Sequence, residues 1–209
     1  MITKELSFST VNSTLAEGLL KGVDGKVRCA WAGTDPLYCA YHDNEWGKPV
    51  FEDIGLFEKI CLEGFQAGLS WFTILKKRSS FRLAFDHFDF EKIAHYDELK
   101  VQMLMQNKDI VRHQGKIRSV LNNALKAQEI IVEWGSLSHY FWSFQPLQSE
   151  HYEKIDFQTL SAHPIIPASL RLAHDLKKRG WTFIGPTICY AFMQSVGIVN
   201  DHLEGCFFR

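Results

Sequence analysis

The sequence lacks any apolar run approaching the ~20 residues that would span a bilayer. Its N-terminus, MITKELSFSTVNSTLAEGLL, lacks the basic start and apolar block of a secretory signal. Together these absences predict a cytoplasmic protein with no membrane partner. Positive charge is not in excess either: 23 Lys and Arg face 24 Asp and Glu, a formal net charge of −1. A broad, uniformly basic nucleic-acid surface is therefore excluded, and any such binding must use local clusters. Three exist: Lys76 to Arg78, Arg112 to Arg118, and Lys177 to Arg179. Each could equally be a solvated helix end. Cysteine is scarce, with five in 209 residues, and a reducing compartment makes them buried thiols or metal ligands rather than disulfides. Strand-like alternation, internal repeats and low-complexity tracts are also missing. The H-E-x-x-H spacing of a catalytic zinc helix is absent.

What remains is helical periodicity. Apolar residues at Phe57, Ile60, Cys61, Phe65 and Leu69 mark one helix face between Leu56 and Leu75, with a break expected at Gly64 or Gly68. Ile117, Val120, Leu121, Ala124 and Leu125 mark another, between Gly115 and Ile131. Pro167 and Pro186 each open a segment that Gly180 and Gly197 close, the expected asymmetry of helix ends. A helix–hairpin–helix fits residues 97–126, with its first helix over Leu99–Met105, its turn over Asn107–Ile110 and its second helix from Val111. Residues 1–27 are polar and weakly periodic, and read as a flexible extension to a single domain over 28–209. The class is all-α.

Three groups of residues could carry chemistry. His202 and Cys206 are four apart and could face one ion, and Cys29 with His42 would complete a tetrahedral zinc set. Spacing alone leaves open that these are core thiols and surface imidazoles. Between Trp31 and Trp46, aromatics crowd a polar stretch with a turn at Asp35-Pro36, suited to stacking on a flat ligand or to pinning a loop. Glu63 is a lone acid in an apolar helical run. It is either bonded to a helix neighbour or held in reserve for a ligand.

Four blocks, RCAWAGTDPLYCAYHDNEWG, LFEKICLEGFQAGLSWFTILKKR, IVRHQGKI and LKKRGWTFIGPTICYAFMQSVGIVNDH, are followed by Cys206 and run in order from residue 28. They closely resemble the 3-methyladenine DNA glycosylase I family. The resemblance implies a helix–hairpin–helix glycosylase fold in which a structural zinc on Cys29, His42, His202 and Cys206 joins the N- and C-terminal segments. It implies a base pocket of Trp31, Tyr38, Tyr41, Glu63 and Trp71, with Glu63 as the catalytic residue. DNA contacts are expected from Gly68, Leu69, Lys76, Arg112, His113 and Lys116, with Leu69 as a wedge. The partners would be alkylated double-stranded DNA and free 3-methyladenine, and the protein a monomer. Two positions depart from the family. Asp109 stands where a hairpin glycine is common, and Pro186 where a small residue precedes T-I-C-Y.

Base excision requires the target to leave the stack. Alkylation at N3 gives adenine a positive charge and weakens its own glycosidic bond. The protein then needs little acid catalysis and much selective binding, from electron-rich rings and one carboxylate. No Schiff-base lysine accompanies the pocket motif, so strand cleavage is not expected. The alternative is a zinc-stapled damage-binding module without catalysis. A metal hydrolase using His42 with Asp43 or Glu45 fits poorly, because a Cys2His2 set leaves no open coordination position.

Overall fold

The computed structural model describes residues 15–209. The expectation of a flexible N-terminal extension falls partly, over residues 1–14, outside the described residues. Its second half is ordered, contrary to that expectation. β1 (Leu19–Lys21) pairs antiparallel with β2 (Val27–Cys29), Leu19 opposite Cys29 and Lys21 opposite Val27. Arg28 braces the hairpin turn through Asp24 and locks the hairpin to the body through Asp43. The fold is therefore mainly helical with one small hairpin.

Asp35-Pro36 starts a helix instead of turning a loop. The Asp35 carboxylate accepts from the N–H groups of Leu37 and Tyr38, and Pro36 takes the first position of α1 (Pro36–Asn44). Tyr38, Tyr41 and His42 thus project from a helix, which corrects the loop expected there. α2 (Asp53–Gln66) is buried at every residue from Leu56 to Phe65 and forms the spine of the domain. The break before α3 (Trp71–Ala84) falls at Gly68, whose φ of +78° favours glycine, and Ser70 caps the new helix through the Thr73 N–H. Gly64 stays inside α2, where a Cβ would stand 3.2 Å from the Phe183 carbonyl oxygen.

α4 (Phe90–Ile93) leads to α5 (Glu98–Gln106), capped by Asp97. α6 (Gln114–Trp134) begins three residues later than expected, because His113 serves as its cap and leaves Val111 and Arg112 in the connecting loop. α7 (Leu137–Trp142), α8 (Phe157–Ala162), α9 (Pro167–Lys178) and α10 (Pro186–Ser195) follow, α10 packing on α2 and α9. Leu56, Phe57, Phe65, Phe81, Phe141 and Phe192 are fully buried in one continuous core. A satellite cluster of Cys29, Leu203 and Cys206 brings the two ends of the described chain together. Among the described residues, no helix is long and apolar enough to cross a membrane.

Candidate active site

A cavity of about 370 Å³ opens between α1, α2, α3 and the C-terminal segment. Trp31, Tyr38, Tyr41, Glu63 and Trp71 all line it. The local reasons are simple. Tyr38 and Tyr41 are three apart on α1 and share one face. Trp71 is the first residue of α3, brought to the rim by the Gly68 turn. Trp31 sits in the short turn of Ala30–Ala32 that continues β2. The rings interlock at tilted angles. Trp31 lies 5.2 Å from Tyr38, and Tyr41 lies 5.3 Å from Trp71 at an interplanar angle of 45°. Trp31 is the most exposed of the four at 39% and marks the mouth, while Tyr41 is 2% exposed and lies deep.

Glu63 is the single carboxylate that α2 sends into this space, and it is 4% exposed. Burial pushes its carboxyl up from the usual 4.5 to about 8, against a smaller downward pull from Lys59. Glu63 Oε2 is buried without a hydrogen-bond partner, and so is Trp71 Nε1. One is an acceptor and the other a donor, and both belong to residues lining the same cavity. Buried polar groups are rarely left unpaired, because each costs about 1–3 kcal/mol. The pair therefore marks a space shaped for a flat ligand carrying both kinds of hydrogen-bonding edge.

The lining residues that the sequence does not reveal include Trp46, Gln66, Gln194 and Asp201. Trp46 ends the aromatic stretch, and its ring lies 4.9 Å from Trp31. Gln66 is one helical turn past Glu63, a spacing that could have revealed it. Asp201 and Gln194 had no such signal, since they reach the cavity only through tertiary packing. Asp201 Oδ2 accepts hydrogen bonds from Tyr190 Oη at 2.6 Å and Gln194 Nε2 at 2.7 Å.

Cys29, His42 and Cys206 place their donor atoms within 4.8 Å of one another, all buried. His42 Nδ1 lies 2.8 Å from Asp43 Oδ1, which Arg28 holds in turn, so Nε2 is left toward the thiols. Cys206 Sγ is 3.7 Å from that nitrogen, and the Leu203 N–H approaches Cys29 Sγ at 3.4 Å. Burial pushes the Cys29 thiol up to about 12 and the His42 imidazole down, so a cation bound here would meet a neutral imidazole and would itself favour the Cys29 thiolate. These donors suit a soft divalent metal. His202 stands beside the trio, its ring 4.7 Å from that of His42, yet its Nε2 lies 3.2 Å from the His42 carbonyl oxygen and its Nδ1 2.8 Å from Asn200 Oδ1. It is adjacent to the group and not part of it in this conformation.

The six expected DNA contacts divide. Gly68 has open space where a Cβ would stand, and Leu69 is 42% exposed on the loop between α2 and α3. Lys76 is exposed, its Nζ 4.4 Å from the Phe72 ring. Arg112 and His113 are exposed where the hairpin enters α6. Lys116 is a correction. It is buried, and its ammonium donates to the carbonyl oxygens of Phe65, at 2.9 Å, and Ala67. It caps the C-terminal end of α2, where the helix dipole favours a cation, and cannot also reach a phosphate. The two departures from the family pattern fit their surroundings. Asp109 is exposed with its N–H on Asn107 Oδ1 at 2.9 Å, and Pro186 opens α10.

With this geometry in hand, the chain's relatives can be placed. A family model for methyladenine glycosylases matches residues 31–209. The chain is 47% identical over 180 residues to DNA-3-methyladenine glycosylase 1 of Escherichia coli K12, covering 86% of this chain and 95% of that one. It is 47% identical over 181 residues to DNA-3-methyladenine glycosylase of Haemophilus influenzae, covering 86% and 96%. A crystal structure of 3-methyladenine DNA glycosylase I superposes with a TM-score of 0.81 at 48% identity, over 86% of this chain and 98% of that one. The Staphylococcus aureus enzyme, solved for the structural basis of its 3-methyladenine recognition, gives a TM-score of 0.77 at 34% identity, over 86% and 95%. The cavity, the helices that build it and these matches agree, and the chain belongs to the methyladenine glycosylase family.

Proposed function

We propose that this protein is a monofunctional DNA glycosylase that flips N3-methyladenine out of alkylated double-stranded DNA and hydrolyses its glycosidic bond, leaving an abasic site and releasing free 3-methyladenine. One observation carries the reading. An aromatic-walled cavity contains one buried carboxylate and one buried indole N–H, neither with a partner. A flat, cationic purine with an amino edge satisfies the carboxylate and the ring faces together.

In this reading Glu63 accepts from the exocyclic amine of the base and offsets its charge. Trp31, Tyr38, Tyr41 and Trp71 attract the cation through their π faces, at roughly 0.5–2 kcal/mol per contact. Normal adenine brings no charge, so it gains no cation–π attraction and leaves Glu63 either protonated or without a compensating charge. The departing base is already activated. The remaining work is binding, orientation and exclusion of bulk water, followed by attack of one water at the sugar carbon as positive charge develops there. Leu69, exposed on its short turn beside Gly68, fills the gap in the stack. Arg112, His113 and Lys76 hold backbone phosphates.

A zinc ion on Cys29, His42 and Cys206, with His202 swinging in as fourth ligand, would tie the hairpin to the C-terminus and play no part in the chemistry. A closed four-ligand site of this kind is structural. The domain of residues 28–209 is then extended by β1 and the turn that follows it, and acts as a monomer in the cytoplasm.

The test is direct. Incubation with alkylated duplex DNA, followed by chromatography of the supernatant, should yield 3-methyladenine and alkali-labile abasic sites without strand nicks. Tight binding to alkylated DNA with no released base would instead support a damage-binding module.

A further inference from the structure

Glu63 has an unusual neighbour on its own helix. Lys59 lies one turn earlier on α2 and is buried, and its Nζ makes no hydrogen bond. The ammonium sits 4.8 Å from the centroid of the Tyr41 ring and 3.5 Å from Glu45 Oε2. Glu45 already has a better partner, because Arg78 grips both of its oxygens at 2.5 and 2.8 Å. Glu58, the other acid of this helix stretch, is gripped by Arg82 in the same two-pronged way. Arg78 thus neutralises Glu45 and Arg82 neutralises Glu58. On this stretch of α2 that leaves Lys59, which only approaches Glu45 at 3.5 Å, and Glu63, and residues four apart share a helix face.

We propose that Lys59 is a positioning residue whose charge favours the ionised form of Glu63 and so readies it for a cationic base. The second half of this statement rests on the glycosylase reading; the charge coupling does not.

A purely structural lysine makes little sense here. A methionine would fill nearly the same volume without the cost of burying an ammonium whose nearest carboxylate, Glu45, is already held by Arg78. The charge is explained if it has work to do on another buried charge. The groups facing Glu63 are few. Tyr38 and Tyr41 approach from α1, Trp71 from α3, and Asp201 and Gln194 from the C-terminal side of the cavity. Glu45 and Arg78 are bound to each other, with Lys59 approaching the same carboxylate. Asp201 is held by Tyr190 and Gln194. Among the described residues Lys59 is accordingly the cation placed to oppose the burial of Glu63, and its attraction lowers a carboxyl that burial drives upward. Burial also pushes the Lys59 ammonium below its usual range, opposed most by Glu45 and less by Glu63. Lys59 does not line the cavity, so it acts on the base only through Glu63 and the Tyr41 ring.

The experiment uses the full chain and the variants Lys59→Met and Lys59→Arg. With 13C label on glutamate side chains, the Glu63 carboxyl is identified by its loss in Glu63→Gln and titrated without ligand. In Lys59→Met its midpoint should rise by about one pH unit, the lower end of what an opposite charge nearby contributes, and Lys59→Arg should restore it. An unmoved midpoint in folded Lys59→Met overturns the proposal. Should Lys59→Met not fold, Lys59→Gln carries the same expectation. The acid limb of 3-methyladenine release from alkylated DNA should move by the same amount, a roughly tenfold slower reaction on that limb. A merely structural Lys59 would lower the melting temperature and move neither midpoint. If the Glu63 midpoint moves and the acid limb stays, the coupling stands and the assigned use of Glu63 in excision fails.

Discussion

Replacing Glu63 with Gln removes one charge from the cavity while keeping the side chain's size and one acceptor oxygen. The structure sets opposite signs for its effects on stability and on binding. A carboxyl raised from 4.5 to about 8 binds its proton more tightly in the folded state than in the unfolded one. Below pH 4.5 both states are protonated and Glu63 costs nothing. As pH rises through 4.5 and on to 8, the unfolded chain ionises first and stability falls. The limit of that loss is roughly 5 kcal/mol, at about 1.4 kcal/mol per pH unit. Water in the open cavity and the neighbouring Lys59 reduce it, and an effect of about 1–3 kcal/mol is expected above pH 8. For a chain of this size that raises the melting temperature of Glu63→Gln by a few degrees, on the order of 2–4 °C per kcal/mol, with no gain at pH 4.5. Binding should move the other way. Losing a hydrogen bond to a charged group costs about 1.5–3 kcal/mol, so affinity for 3-methyladenine should fall about ten- to hundredfold, and further in Glu63→Ala. Thermal melts at pH 4.5 and 8.5, with calorimetry on the same preparations, read both quantities. A variant that melts lower at every pH and binds the base as tightly as the parent would show that Glu63 supports the fold and does not recognise the ligand.

Freshly purified protein should contain one zinc per chain, and a strong chelator should lower its melting temperature before it alters base affinity; metal analysis that finds none refutes the cage assigned to Cys29, His42 and Cys206. Lys116→Met should destabilise the fold by about 1–3 kcal/mol, because the carbonyls of Phe65 and Ala67 lose their donor, and should leave the salt dependence of DNA binding unchanged. A salt slope shallower by about one, with stability intact, would return Lys116 to the DNA surface. Leu69→Ala should slow excision from duplex DNA more than from single strands, where no stack has to be held open, and should leave the melting temperature nearly unchanged because Leu69 is 42% exposed; equal slowing on both substrates contradicts a wedge.

The long helices were legible because their signals are local. Pro167 and Pro186 at helix starts, Gly68 at a break and apolar residues at helical spacing act within a few residues of themselves. Where the reading slipped, a tertiary or capping interaction decided the outcome. Asp35-Pro36 looked like a turn, yet the same two residues cap and begin α1. Val111 and Arg112 carry no signal against helix, and the His113 side chain settles where α6 starts by accepting from the Lys116 N–H. The hairpin of β1 and β2 was invisible because strands of three residues have no period to detect. It is held by the Arg28 ion pairs and by the packing of Leu19 near Leu203 and Cys206.

Lys116 and Lys59 show why charge is the hardest part of a site to read from a string. Both look like ordinary helix lysines, one beside the basic IVRHQGKI block and one four residues before Glu63. Composition predicts that each points to water, since lysine is rarely fully buried. The first is instead spent on the carbonyl end of α2. The second faces the Tyr41 ring and has no hydrogen bond at all. Burial turned both into groups whose partners are fixed by three-dimensional packing, 51 residues away in the case of Phe65. The aromatic members of the pocket were readable because a ring needs only to be present in the right stretch. A charge is defined by what surrounds it, and those surroundings were assembled from α1, α2, α3 and the C-terminal segment only on folding.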